Sequence, residues 1–477
     1  MNWVEEFIAK NGRKPRVLHI GNIANNAYLN SKILNRLGVD SDVMCGPYYH
    51  IMGYPQWEDA DFSGDWGDDF APNWKRAGAS CFKVPDWFAQ GSYNQCMLQL
   101  ARRHGENIKP AMMALLLVFV SRVSCFLYKR VARLRPVLER VNRRILSYYP
   151  KDLVDRCSMG KCVPTSMNTI VRQCAVAMPM RRFLRMYDVV IGYATMGSMP
   201  LYTGMRPYCA FEHGTIRKLP FEDTDDGRRC AEVYRRADYC FITNCDNITA
   251  AKRLGLERFT FIPHPVNEDI MVEEESARLR ESLRRELDAD FILFHPPRQH
   301  WETRRDPDWE KGNDLLIRGF ADFVKTTAPR AAAIFVDWGL KVEESKELLR
   351  QLGIADRVKW VRPLPNVQMI KYVKATDALA DQFYLGAFGS TMPKALLHGS
   401  PALIYLDEER HRWCFPEMPP VLNVRTPEEI SAALKRLYAD ADFRRDLISR
   451  GRAWYDKYHS NAVIGRTFLS VFEKICK

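Results

Sequence analysis

Short apolar runs and amphipathic runs alternate from the start of the chain. The segment "KPRVLHIGN" (14–22) is a basic start, an apolar strand and a glycine exit. In "NAYLNSKILNRLG" (26–38), Leu29, Ile33, Leu34 and Leu37 recur at helical spacing on one face, Gly38 suits a C-cap, and a second strand begins near Asp42. A β-α-β unit of this kind implies a parallel sheet. Gly21, after its first strand, lets a ligand or a backbone come close.

The rhythm lapses over 50–180. "GYPQWEDADFSGDWGDDFAPNW" predicts a long irregular insertion, and loops of that length are more often functional than idle. Its acids (57–62) have no metal-site spacing, which leaves an acceptor loop or a solvated face. The stretch 109–146 differs again: "AMMALLLVFV" (111–120) is wholly apolar, and Leu134, Val137, Val141 and Ile145 then share one helical face among arginines. Pro136 kinks that helix or starts a new one.

From 187 the alternation returns through "YDVVIGY", "YCAFEHG", "DYCFITN" and "RFTFIPHPV". The charged helix at 273–290 has little core face and reads as a connector. A second series begins with "FILFHPPR" (291–298) and runs through "AAIFVDWG", "VKWVRPL", "DALADQF" and "PALIYLD" to three closing helices. The prediction is two parallel α/β domains joined near 265–290, in keeping with 477 residues, too many for one ordinary core.

With 47% hydrophobic and 27% charged residues, the composition is that of a folded soluble protein. "MNWVEEFIAK" is mixed and charged, unlike a signal peptide. The cysteines sit singly in apolar stretches, and Cys157 and Cys162 have no second pair at zinc spacing, so reduced thiols in a cytoplasmic protein are expected. The net charge of +12 is local: residues 101–150 hold eleven Lys or Arg against two Glu. A nucleic-acid-binding face spread over the protein is therefore not expected. Ten apolar residues before Arg122 are short for a membrane span of about twenty. An interfacial anchor on an anionic membrane surface and a core helix with a solvated neighbour both fit 109–146.

Three segments carry chemistry. "FHPPRQHWETRRDPDWEKGNDLLIRGF" offers Arg298 and Lys311, the lysine beside Gly312 and a helix start. "DQFYLGAFGSTMPKALLHGSP" places Asp381 and Gln382 at a strand end, then Gly386 and Gly389, then Ser390 and Thr391 capping a helix, with Pro393 in its first turn. The open N–H groups and positive dipole end of such a helix suit a phosphate. "FEHGTIRKLPFE" puts Glu212 and His213 just past a strand, where open α/β sheets place ligands, with Arg217 and Lys218 following.

In this order the parts resemble the GT-B glycosyltransferases, in particular the retaining, nucleotide-sugar-dependent group (glycosyltransferase family 4, glycosyl transferases group 1). The likeness is clear over 185–455, weaker over 15–50 and absent over 50–180. It implies two facing Rossmann-like, doubly wound domains with an interdomain cleft. The N-terminal acceptor-side domain would span 1–268, with the insertion at 50–180. The nucleotide-sugar domain would span 288–458, and a helix in 459–477 would cross back to the N-terminal domain. The resemblance also implies a metal-independent transferase with no cofactor beyond a nucleotide-sugar cosubstrate. Its acceptor would be a glycan or a lipid-linked molecule in surface polysaccharide or glycoconjugate synthesis, at the cytoplasmic face of the membrane.

By the same resemblance, Arg298 and Lys311 grip the donor diphosphate, where fixed cations stabilise a leaving group that gains charge. Gly389, Ser390 and Thr391 present the helix N-terminus, and His213 holds the donor sugar or an acceptor hydroxyl. Gly21, Gly312, Asp381, Gln382 and Gly386 belong to the donor side, and Arg362 in "RPLP" neighbours the base or a phosphate. Asn25, Asn26, Glu212 and Arg217 face the acceptor, and His264 sits at the hinge.

One departure stands out. The family often has two glutamates eight residues apart; here those positions are Gly386 and Lys394. A lysine only donates where a carboxylate would accept. Lys394 then binds a phosphate or an acidic donor, or points outward, or marks a chain that has lost donor turnover. The last reading supports one rival, a non-catalytic scaffold or partner-binding subunit; a nucleotide-sugar epimerase on the same fold is a separate alternative.

Overall fold

The computed structural model describes residues 3–46, 49–107, 119–120, 123–124, 126–128, 130–159, 166–303 and 309–476. Two parallel sheets form its core. The first contains β1 (Arg16–Ile20), β2 (Asp40–Cys45), β3 (Phe88–Gln90), β4 (Val189–Tyr193), β5 (Tyr208–Phe211), β6 (Tyr239–Ile242) and β7 (Phe259–Phe261), in the order β3-β2-β1-β4-β5-β6-β7. The second contains β8 (Phe291–His295), β9 (Ala331–Val336), β10 (Val358–Val361), β11 (Ala378–Ala380), β12 (Ala402–Ile404) and β13 (Leu422–Asn423), in the order β10-β9-β8-β11-β12-β13.

Strands covered by helices on both faces read as unbroken apolar runs. That is why "FILFH" and "AAAIFV" are buried at every position. In each sheet the strand order turns at one place, between β1 and β4 and between β8 and β11. Ligands of open α/β sheets bind outside the carboxyl ends of the strands at such a point.

The helix Asn26–Arg36 buries Leu29, Ile33 and Leu34. The last helix, Asn461–Ile475, leaves the second domain and packs Ile464, Phe468 and Phe472 into the core of the first. Gly465 sits against Leu37 and Ile33 of the first domain, where an added Cβ would require the Leu37 side chain to shift.

Two expectations need correction. The helix Glu273–Glu286 is not a bare connector. Leu283 is buried with Ile292 and Phe294, and Leu279 and Leu287 pack against the same core. Arg284 donates to Asp377 at 3.0 Å. Its apolar edge is one residue wide per turn, too narrow to show among so many charges. Nor is 50–180 one irregular insertion. The three-residue β3 pairs with β2, and the helices Tyr93–Arg103 and Met167–Leu184 bury Met97, Leu100, Phe183 and Leu184 together. A strand of three residues leaves no periodicity to read.

The apolar run 111–118 lies outside the described residues. After it, Pro136 stands in the first turn of a separate helix, Arg135–Leu146. Its apolar stripe is not buried: Val137 is 54% and Val141 46% exposed, with Phe126 at 57% nearby in sequence.

Residues 51–82 form a small module of their own. Its helices Pro55–Asp59 and Trp74–Ala77 and a short hairpin gather around Trp57, Phe62 and Trp66, with Trp74 against them. Its acids are only in part a solvated face: Asp61, Asp68 and Asp69 are exposed, whereas Glu58 is buried. Two of them bridge the domains: Gln368 and Lys371 donate to Asp61 at 2.5 and 2.6 Å, and Asn366 donates to Glu58 at 2.7 Å. The helix Asn366–Ala375 that supplies these partners belongs to the second domain.

Candidate functional site

A cavity of about 310 Å³ opens between the domains, above the junction of β8 and β11. Its size is that of a small-ligand pocket. From the second domain it is lined by Arg298, Lys311, Asp381, Gln382, Lys394 and the turn 389–391. The chain leaves β8 and β11 at this point, so strand ends set these positions.

Lys311 follows the loop after β8 and precedes the helix Asn313–Thr326. Its backbone is fixed by bonds to the His300 carbonyl and from the Phe383 amide, both 2.7 Å. Its Nζ donates to Gln382 Oε1 at 2.7 Å, and Gln382 Nε2 donates in turn to the Ala387 carbonyl at 2.5 Å. Burial lowers the Lys311 pKa to about 8; Asp381 opposes this, while Arg298 and Arg217 add to it. The Arg298 guanidinium lies against two indoles, 5.5 Å from Trp309 and 5.6 Å from Trp338, and burial lowers its pKa as well. Neither cation has an ion-pair partner among the described residues.

The helix Thr391–His398 points its N-terminus into the same space. Ser390 makes no side-chain cap, so the first amides are open to a ligand. Asp381 lies beneath. It is almost wholly buried, its Oδ2 has no hydrogen-bond partner among the described residues, and burial raises its pKa to about 6 against the pull of Lys311.

Lys394, one turn into that helix, lines the cavity and does not point outward. It has no hydrogen bond or ion pair among the described residues. Burial lowers its pKa, and Glu58 of the first domain raises it. Glu58 is itself pushed up to about 7 by burial, with Lys394 the first group opposing that.

The loop after β5 lies in the first domain, and Glu212, His213 and Arg217 are not among the residues lining the cavity. His213 stands edge-on to His264, ring centroids 5.2 Å apart, with its Nδ1 buried and without a hydrogen-bond partner among the described residues. Burial and Arg217 hold its pKa at about 4, so the ring is neutral near pH 7. Arg217 is a bidentate partner of Asp246, at 2.5 and 3.0 Å, and its field reaches Lys311. Glu212 is fully buried and turned inward, bonded by the Gly214 amide and Asn247.

Other candidates hold the frame. Asn25 donates to the Tyr54 carbonyl, and Asn26 Oδ1 meets His264 Nδ1 at 3.1 Å. Gly21 packs under Tyr49 and Met196, and Gly312 has φ +67 with Phe383 against it. Gly386 (φ +71) turns beside Tyr405 and Asp407. Arg362 lies over Trp66, 5.1 Å from the ring centre and outside the cavity.

The sequence reading missed the cavity's other wall: Met52, Trp57, Trp66 and Asp69, with Glu58 behind them. Only the density of Trp, Asp and Gly in that stretch hinted at it.

Two facing Rossmann-like domains, a cleft at their switch points and a last helix returning to the first domain define the GT-B fold. The comparisons agree on this point, although no family model matches the chain. Anabaena HepE, solved with UDP and glucose, is similar over 96% of this chain and 100% of its own, with TM-score 0.59 and 13% identity. Sucrose-phosphate synthase from Thermosynechococcus elongatus is similar over 97% of this chain and 99% of its own, with TM-score 0.56 and 12% identity. By sequence, 98 residues are 30% identical to the D-inositol 3-phosphate glycosyltransferase of Corynebacterium diphtheriae, which is 20% of this chain and 23% of that protein. The Nocardia farcinica enzyme of the same name matches over 99 residues at 27%, again 20% of this chain and 22% of the relative. The chain thus spans less than a quarter of the length of these curated relatives.

Proposed function

We propose that the protein is a glycosyltransferase that moves a sugar from a nucleoside-diphosphate donor to a glycan or lipid-linked acceptor. One observation carries this: Arg298 and Lys311, neither of them in an ion pair among the described residues, line the interdomain cavity together with a helix N-terminus. A diphosphate supplies the missing negative charge. As the sugar–phosphate bond breaks, charge grows on the leaving oxygen, and cations already fixed in a partly dry cleft stabilise that charge more than the ground state. These two cations fill the role a divalent ion would play, so the reaction is proposed to be metal-independent. Retention at the anomeric carbon follows from the resemblance to the retaining group. By the family resemblance His213 would accept a hydrogen bond from a sugar or acceptor hydroxyl, and a ring kept neutral near pH 7 is compatible with that role. The names of the relatives, glycosyltransferases in two cases, and the UDP bound by HepE support the reading.

The described part of 119–146 supports a second proposed partner, an anionic membrane surface at the cytoplasmic face. Val137 and Val141 are exposed on one stripe, and the exposed Arg140 and Arg144 flank it. No helix among the described residues is long and apolar enough to cross a membrane. Co-sedimentation with vesicles should require anionic lipid and fall in high salt; equal binding to neutral vesicles would sink this part.

The donor reading is tested by titrating purified protein with UDP, GDP, ADP and their sugars and with CMP-sugars, with Lys311→Ala as control. Binding of one nucleotide, weakened about tenfold or more by the mutation, is expected from loss of a charge-assisted bond. Absence of binding by every donor would leave a non-catalytic scaffold.

A further inference from the structure

The cavity has two unlike ends. The cationic end lies at β8 and β11. The other lies at the carboxyl end of β10, two strands from β8, or about 10 Å at ordinary strand spacing. There the lining turns apolar: Pro363, Leu364 and Met369 from the second domain face Trp57 and Trp66 from the module 51–82. Trp66 is held in place on three sides. Its Nε1 donates to Asp69 Oδ1 at 2.8 Å, its ring meets Trp57 at 5.4 Å and 85°, and the Arg362 guanidinium covers it.

Lys394 lines the cavity as well, and helical side chains lean toward the helix N-terminus. Lys394 therefore leans back toward Ser390 and the phosphate end. Its electrostatic partner Glu58 comes from the module in the opposite domain and is held by Asn366 of the second domain.

We infer that the module 51–82 is part of the nucleotide site: Trp57 and Trp66 wall the base, and Glu58 positions Lys394 toward the ribose and the first phosphate. The inference rests on the donor reading above. Its physical basis is the spacing. A nucleoside diphosphate is a flat ring joined to an anion through a ribose, and the cavity offers an aromatic wall, a lysine and a cationic cradle in that order. The lysine is a donor to oxygen acceptors at the middle position. Specificity for the base would then be set partly by a segment of the first domain, and the site would be complete only with the domains closed on each other.

The test uses hydrogen exchange of the whole wild-type protein with two probes: the nucleoside diphosphate that binds best in the titration above, and inorganic pyrophosphate. The nucleotide should protect amides within 51–82 and within 389–394; pyrophosphate should protect only the latter. Two variants follow. Trp66→Leu should weaken nucleotide binding about tenfold, the loss expected for one stacked base, and leave pyrophosphate binding within about twofold. Glu58→Gln should weaken nucleotide binding severalfold in the wild-type background and have no further effect in Lys394→Met, since one acts through the other. Nucleotide binding without protection of 51–82, or equal losses for both probes in Trp66→Leu, would overturn the inference and leave the donor reading intact. No nucleotide binding at all would overturn both.

Discussion

Asn366 Nδ2 donates to Glu58 Oε1 at 2.7 Å, joining two residues 308 apart in sequence and on opposite domains. Both are buried, and the Asn366 Oδ1 has no partner of its own among the described residues. The bond sits where the module meets the cavity, so it couples domain closure to the shape of the site.

Asn366→Ala would leave a buried carboxyl without its donor. The expected cost is about 1–3 kcal/mol. It should appear as a lower urea midpoint with little change in slope, and a midpoint within error of wild type would show that water replaces the bond.

Glu58 also makes stability depend on pH. Its folded pKa, about 7, lies above its ordinary value of 4.5. The folded state therefore holds a proton that the unfolded state has lost, and stability falls as pH rises from 4.5 through 7. Glu58→Gln should remove that part of the decline, measured by denaturation at several pH values.

Lys311 predicts an alkaline limit for donor binding. It is a cation below about pH 8 and neutral above. Affinity should be level below pH 7 and fall as pH passes 8, up to tenfold per pH unit until the pKa of the complex is reached. Asp381 helps hold that proton, so in Asp381→Asn the fall should begin at lower pH. A profile unchanged in both protein forms would exclude Lys311 as the controlling group.

The two glycines of the donor segment should separate by substitution. At Gly386 the left-handed backbone and the closeness of Tyr405 and Asp407 make Gly386→Ala destabilising by about 1–2 kcal/mol or more. At Gly389 an added Cβ meets only Asp381 Oδ2, at 3.9 Å. Gly389→Ala should keep the melting temperature and weaken nucleotide binding, because the methyl stands in the phosphate space.

His213 is neutral across the working range, since its pKa is held at about 4. The rate profile should show no limb near pH 6.5 from this ring. If it transfers a proton or holds a reacting hydroxyl, His213→Ala should lower kcat about 100-fold or more with donor KM little changed. A variant with near wild-type kcat would make the ring a packing partner of His264.

How much was legible in the sequence follows from distance along the chain. The parallel sheets were, because strand and helix periodicities are local, and so was the cationic cradle. Arg298 and Lys311 lie in the connection after β8, Asp381, Gln382 and 389–391 in the one after β11, and adjacent parallel strands bring these connections together. The charged helix Glu273–Glu286 was misread because three leucines spaced four apart suffice to dock it, and β3 was missed because three residues carry no pattern.

The rest was decided by packing between domains. Trp57, Glu58 and Trp66 have no periodicity that points at residues 362–369, and their approach depends on the closure of two separately folded sheets. Lys394 alone looks like any lysine on a short helix; only the fold brings Glu58 of the other domain near enough to act on its charge. The stripe Val137–Val141 was visible as amphipathic, but only the tertiary structure shows that nothing among the described residues covers it. Local pattern determines which elements form, because it acts through bonds and contacts a few residues apart. Which faces meet is settled by long-range burial, which the order of residues along one element does not encode.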